Sequence, residues 1–180
     1  MADERRVYVD TCCFIDLVKV KLGKPTEAGR ETDVWFLKRL LEANRDGEVH
    51  LFTSTLTIAE CRHVGDNDIS DEVKSQFNRL LMSGQYVRLV QMTPFIATDA
   101  RDLHWVHGII GVKGADAIHI ASAIDRKCEE FLTANGRLER VGKQTGHLAR
   151  FGLYARRGKD TICLPTKYRQ MNLEDEVTRH

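Results

Sequence analysis

Three acidic residues stand in apolar surroundings that disfavour an unpaired charge. Asp10 follows the apolar run 7–9, Glu60 ends the segment 56–60, and Asp116 lies within 114–118. Taking a carboxylate out of water without a partner is costly, so three such acids predict a shared positive partner. A divalent cation would serve all three. Taken singly, Asp10 and Asp116 could instead stabilise helix starts, and Glu60 could lie on the exposed side of a helix.

The type of ligand favours one kind of metal and one kind of reaction. Carboxylate oxygens suit Mg²⁺ or Mn²⁺, whereas zinc favours histidine or thiolate. Such a cation can polarise a phosphoryl oxygen and lower the pKa of a bound water, which predicts phosphodiester hydrolysis with water as the nucleophile. A nucleophilic aspartate phosphatase also begins with an acid at a strand end, but it expects another acid two residues later, where Cys12 stands.

Strand and helix patterns alternate along the chain and define the scaffold for these acids. Short apolar segments predict strands at 6–9, 49–52, 87–92, 131–133 and 161–164. A loop is predicted at 21–32, and helices at 12–20, from an N-cap at Asp33 to about 45, at 56–64, around 73–81, at 94–107 and at 116–126. This alternation predicts a three-layer α/β/α sandwich with a mostly parallel sheet of about five strands, because parallel strands require crossover connections.

The predicted topology gives the acids a common place to meet. Ligands of open parallel sheets bind beyond the carboxyl ends of the strands, where the chain can present polar groups. Asp10 stands at such an end, and Glu60 and Asp116 lie on helices that could lean over the same edge. We therefore expect the three carboxylates to converge there.

Bulk composition limits the domain count but does not identify a partner. A chain of 180 residues with 42% hydrophobic content predicts one domain spanning 1–180, and its formal charge of +1 favours no partner class. The five cysteines lack CxxC spacing and are expected to be buried and reduced. The sequence shows no signal peptide or membrane span, so a cytoplasmic location without a membrane partner is expected.

A weakly patterned segment at about 137–160 is locally basic. From Arg137 to Lys159 it contains one acid, Glu139, and these basic residues: Arg137, Arg140, Lys143, Arg150, Arg156, Arg157 and Lys159. Such a cluster can attract phosphates, and Phe151 or Tyr154 could stack on an unpaired base. An ordinary solvated loop would explain the same charges.

Four segments resemble PIN-domain ribonucleases, especially the VapC-like toxins of toxin–antitoxin pairs. They are Val7-Tyr8-Val9-Asp10-Thr11, Thr57-Ile58-Ala59-Glu60, the run 114–123 and Phe131-Leu132-Thr133-Ala134-Asn135. The resemblance implies a PIN-like fold and an Mg²⁺- or Mn²⁺-dependent endoribonuclease with RNA as substrate. It assigns catalytic and metal-binding roles to Asp10, Glu60, Asp116 and Asn135. It also implies a small antitoxin protein as partner and a homodimer.

Asn135 departs from the family pattern, which has an acid at this position. Asparagine offers one neutral oxygen, so we expect a weaker cation site. A natural variant supported by Glu139, a binding-only descendant and a deliberately weakened variant would each explain it. The alternative function is therefore a weakened or inactive PIN-like module that binds RNA or protein.

Four further residues near these motifs carry weaker expectations. The resemblance assigns Thr11 and Thr53 to hydrogen bonds with phosphate or with water at the metal, although both could simply form caps and turns. Asp16 could support the site from behind or be an ordinary helix-surface acid. His119, three residues after Asp116, is expected to pack in an apolar helix interior rather than act as a base.

Overall fold

A computed structural model describes residues 5–65, 69–144 and 146–170; the side chains of Lys143 and Gln144 lie outside this description. The strands are β1 (Arg6–Val9), β2 (His50–Ser54), β3 (Arg88–Val90), β4 (Glu130–Leu132) and β5 (Tyr154–Arg156). The α-helices are α1 (Thr11–Lys21), α2 (Arg30–Arg45), α3 (Leu56–Glu60), α4 (Asp71–Met82), α5 (Pro94–Trp105), α6 (Gly114–Asp125) and α7 (Gly136–Gln144). Short 3₁₀ turns cover Ala149–Phe151, Gly158–Asp160 and Thr166–Tyr168.

The five strands form one parallel sheet in the order β3-β2-β1-β4-β5. Strand β1 is central: Val7 pairs with Leu51 on one side and Glu130 on the other. The chain therefore leaves β1 toward one half of the sheet and later returns to the other half, which makes the β1–β4 boundary the switch point. The predicted parallel α/β architecture is confirmed.

Alternating side chains of β1 pack into two separate hydrophobic cores. Val7 and Val9 contact a cluster built from α1, α2 and α4, which includes Phe14, Leu40 and Phe77. Tyr8 points to the opposite face and joins a cluster built mainly from α5, α6 and the segment after β4. Because successive strand side chains point to opposite faces, the sheet is covered on both sides, as the three-layer prediction requires.

Two helices differ from their predicted bounds by more than two residues. Helix α2 begins at Arg30, within the predicted loop, so Asp33 lies in its first turn and the expectation of an N-cap there is wrong. Its buried carboxylate instead accepts hydrogen bonds from Arg157 and from the Lys159 backbone N–H. Helix α3 ends at Glu60, short of the predicted Val64, and leaves the carboxylate at its last residue.

The strand predicted at 161–164 is wrong, because β5 lies earlier and pairs with β4. Residues 161–164 are instead held by side chains: the Glu130 carboxylate accepts from the Thr161 hydroxyl at 2.5 Å and from Ile162 N at 2.8 Å. Arg169 donates to the Thr161 and Leu164 carbonyls. These side-chain hydrogen bonds take the place of strand pairing.

The weakly patterned segment at about 137–160 contains α7 and β5. No helix in the described ranges is long and apolar enough to cross a membrane.

Candidate active site

Asp10 lies at the carboxyl end of β1 and is 6% exposed. It caps α1, because its Oδ1 accepts the Thr11 backbone N–H at 2.8 Å. Its Oδ2 accepts the Thr133 hydroxyl at 2.7 Å and the Cys12 thiol at 3.2 Å. A hydrogen bond with Cys13 and burial both raise the pKa of Cys12, so this thiol keeps its proton and can donate. The carboxylate is therefore fixed in orientation by three donors.

Glu60 is held by a chain of hydrogen bonds that starts in the sheet. Its Oε2 accepts the Thr11 hydroxyl at 2.5 Å and lies 2.8 Å from Nε2 of the buried His119. Since an ionised carboxylate only accepts, His119 Nε2 carries the hydrogen, and Nδ1 can accept from the Tyr8 hydroxyl 2.7 Å away. The bond from His119 lowers the pKa of Glu60, whereas burial raises the pKa of Tyr8. Glu60 is thus kept ionised and Tyr8 protonated.

Asp116 lies in the first turn of α6, with its side chain 16% exposed. Its Oδ2 accepts a hydrogen bond from Arg137 Nη2 in the first turn of α7. His119, which contacts Glu60, is one helical turn after Asp116. Two of the predicted acids are therefore joined through α6.

Asn135 stands at the start of α7, beside Thr133. Its Oδ1 accepts the Arg137 backbone N–H at 3.1 Å, and its carbonyl accepts from Glu139 N, which is the pattern of a helix N-cap. Its own N–H donates to the Thr133 hydroxyl, the same hydroxyl that donates to Asp10. The Asn135 amide, predicted as a metal ligand, therefore caps α7 and accepts from the backbone of Arg137.

The hydrogen bonds connect the four predicted metal-binding residues around one edge of the sheet. One path runs from Glu60 through Thr11 to Asp10, and another runs from Asp10 through Thr133 and Asn135 to Arg137 and Asp116. Oxygen donors of this type fit a hard divalent cation. Within residues 5–65, 69–144 and 146–170, however, no three Asp, Glu, His or Cys side chains form a ready metal-binding group. In the described structure the four residues are therefore linked by hydrogen bonds, but they are not gathered into a group of three metal ligands.

Two other predicted residues, Thr53 and Asp16, make contacts between neighbouring elements. The buried Thr53 hydroxyl donates to the Val9 carbonyl at 2.9 Å and bonds to the Thr57 hydroxyl at 2.7 Å. Asp16 pairs with Arg30 at 3.1 Å, and burial raises its pKa while the guanidinium acts in the opposite direction. Both side chains hold elements together, whereas Thr11 reaches Glu60 directly.

The predicted RNA-contacting residues lie in two different environments. Arg156 forms an ion pair with the buried Glu130, and Arg157 donates to the buried Asp33. Arg140 and Arg150 are exposed; their guanidinium groups donate to the carbonyls of Gly136 and His107, respectively. The Lys143 side chain lies outside the described residues, and the Arg137 guanidinium donates to Asp116. The exposed charges are therefore fewer than the sequence segment suggests.

The family follows from the comparison with known domains. The PIN domain family model matches residues 7–144, which include the whole path of hydrogen bonds from Asp10 to Asp116. The chain belongs to the PIN domain family. PIN domains are generally nucleases, so membership supports a nuclease for this chain. Searches of curated proteins and of solved structures each returned no match.

Sequence reasoning missed Thr133 and part of the role of His119, and both side chains organise this PIN domain site. Thr133, at the end of β4, bonds to Asp10, and its position beside the central strand was the available signal. His119 is packed in the interior, as expected, but it also holds Glu60. Its spacing from Asp116 placed it on the same helix face, yet nothing in the sequence showed that Glu60 would approach from α3. All five cysteines are unpaired thiols, with Cys61, Cys128 and Cys163 buried.

Proposed function

We propose that this PIN domain is an Mg²⁺- or Mn²⁺-dependent endoribonuclease that uses Asp10, Glu60 and Asp116 as metal ligands. The observation that carries the proposal is the hydrogen-bonded path that links these acids around the carboxyl edge of β1. When bound, the cation would polarise a phosphoryl oxygen and lower the pKa of the attacking water.

The protein groups around the acids have separate roles in this proposal. Thr133 and the Thr11 backbone orient Asp10 toward the edge, so its charge is available without rearrangement of β1. His119 and the Thr11 hydroxyl hold Glu60 and keep it ionised, which a cation ligand requires. Asn135 contributes a neutral oxygen at most, so we expect weaker cation binding than an aspartate there would give.

RNA would be held by the exposed basic groups of α7 and of the segment that follows it. Arg140 and Arg150 are exposed, and Tyr154 is 50% exposed with Arg156 Cζ 5.6 Å from its ring centroid. Exposed arginines are suited to the phosphates of an unpaired strand, and the exposed ring of Tyr154 is suited to stacking on its bases. As part of the same proposal, we assign the protein to the toxins of toxin–antitoxin pairs, with a small antitoxin and a homodimeric assembly.

Cleavage of a single-stranded RNA in the presence of Mn²⁺ tests the enzymatic proposal. We expect the wild-type protein to cut internally, chelator to stop cleavage, and Asp10→Asn or Asp116→Asn to lower the rate by orders of magnitude. Asp99→Asn is a matched control, because Asp99 is an exposed acid on α5. Equal cleavage by the wild type, Asp10→Asn and Asp116→Asn would refute the assigned site.

A PIN-like module that binds RNA or protein without cutting is the second candidate. It is favoured by the amide at Asn135 and by the positive group that Arg137 places on Asp116. RNA binding that survives chelator, without cleavage at any Mn²⁺ concentration, would support this candidate over the nuclease.

A further inference from the structure

The edge of the sheet to which the proposed function assigns the three acids, here called the acidic edge, contains a positively charged side chain. Arg137 Nη2 donates to Asp116 Oδ2, and the two side chains are 34% and 16% exposed. The guanidinium therefore places a positive charge on one of the three acids to which the proposed function assigns a metal ion. A divalent ion and a guanidinium compete for the same carboxylate when each must approach the same oxygen.

The backbone aims this arginine at the acid. Asn135 caps α7 by accepting the Arg137 N–H at 3.1 Å, and its own N–H is fixed by Thr133. Arg137 consequently begins from a defined position, two residues after Asn135 and four after Thr133, whose hydroxyl donates to Asp10. The contact is built into the junction between β4 and α7 rather than made by a distant flexible loop.

The contact is also incomplete, which would allow it to open. Only Nη2 of the guanidinium donates to Asp116, and in the described part of the chain Arg137 Nε is buried without a hydrogen-bond partner. A two-point arginine–carboxylate pair would be stronger and more rigid. By contrast, Asp10 and the Oε2 of Glu60 each accept from at least two donors.

Resting on the proposed function, we infer that Arg137 is a built-in competitor of the divalent cation at Asp116. In the metal-free protein its guanidinium neutralises part of the acidic edge, and metal binding requires it to leave Asp116. Arg137 thereby sets the cation concentration at which the site fills. Arg137 acts through Asp116, and its effect is on the occupancy of the metal site rather than on the chemical step.

Mn²⁺ affinity, measured by electron paramagnetic resonance at constant ionic strength, tests this inference without RNA. Loss of a neighbouring positive charge should tighten binding in Arg137→Gln by about tenfold or more. Arg137→Lys keeps the charge and should stay nearer to the wild type. Arg140→Gln is the matched control, because this exposed arginine of α7 bonds to a backbone carbonyl. Unchanged or weaker binding in Arg137→Gln would overturn the inference, as would the absence of Mn²⁺ binding in every variant.

A measurement on the unmodified protein covers the case in which Arg137→Gln fails to fold. Titration with diamagnetic Mg²⁺ should shift the Arg137 Nε–Hε resonance as the guanidinium leaves Asp116. A resonance that stays fixed while Mg²⁺ binds would contradict displacement. Tighter Mn²⁺ binding without RNA cleavage in any variant would sustain the role of Arg137 and refute the nuclease, so the two failures are distinguishable.

Discussion

Thr133→Val removes one hydroxyl that serves both Asp10 and the start of α7. Thr133 is 1% exposed, donates to Asp10 at 2.7 Å and accepts from Asn135 N at 3.0 Å. Valine has nearly the same shape, so the main loss is the two hydrogen bonds. A bond to a charged group contributes about 1.5–3 kcal/mol, and an orphaned, half-buried N–H costs about 1 kcal/mol more. We expect the free energy of unfolding to fall by about 2–4 kcal/mol.

Urea unfolding of two variants distinguishes the contribution of the Thr133 hydroxyl to stability from that of its methyl group. Thr133→Ser keeps the hydroxyl and removes one methyl, so it should cost only about 1 kcal/mol. The cost of Thr133→Val should shrink in an Asp10→Asn background, because the acceptor is then no longer charged. Mn²⁺ affinity should also fall in Thr133→Val but not in Thr133→Ser. Equal stability of the valine and serine variants would refute the assigned role of Thr133.

Three other predictions concern Glu60 and the contact between α2 and the segment after β5. The hydrogen bond from His119 lowers the pKa of Glu60, so its stabilising effect is complete above about pH 4.3, the unfolded value, and is lost as pH falls through the folded pKa. Glu60→Gln should remove this part of the acid dependence in urea unfolding followed across that range. Asp33→Ala leaves Arg157 and the Lys159 N–H unpaired, and should lower the free energy of unfolding by about 2–4 kcal/mol; a loss under about 0.5 kcal/mol would contradict it. A Cβ at Gly158 would lie 2.5 Å from the Asp33 carbonyl oxygen, so Gly158→Ala should lower the thermal midpoint through overpacking, and an unchanged midpoint would count against that contact.

The sequence predicted the layers of the fold because the central strands carry unambiguous patterns. The runs that became β1 and β4 are apolar on both faces and are buried in the centre of a parallel sheet. The last strand was misplaced because Tyr154–Arg156 contains only one buried apolar side chain, Ala155, at the sheet edge. Residues 161–164 looked more strand-like, but their partners are side chains of Glu130 and Arg169, which no local pattern reveals.

The positions of site residues at strand ends could be predicted from the sequence. Side-chain contacts between residues far apart in the sequence could not. Asp10 could be placed from the end of β1 alone. The bond from His119 to Glu60 joins residues 59 positions apart, and that from Arg157 to Asp33 joins residues 124 apart. Asn135 and Arg137 were assigned as separate ligands of metal and RNA, yet the amide caps α7 and the guanidinium contacts Asp116. Such pairings arise only when distant elements meet.

A crystal structure of the protein grown with Mn²⁺ tests most directly whether the three acids share an ion. The proposed function predicts an anomalous peak at bonding distance from Asp10, Glu60 and Asp116, with the Arg137 guanidinium withdrawn from Asp116. A fully ordered edge without such a peak at saturating Mn²⁺, or a peak bound elsewhere, would contradict the assignment.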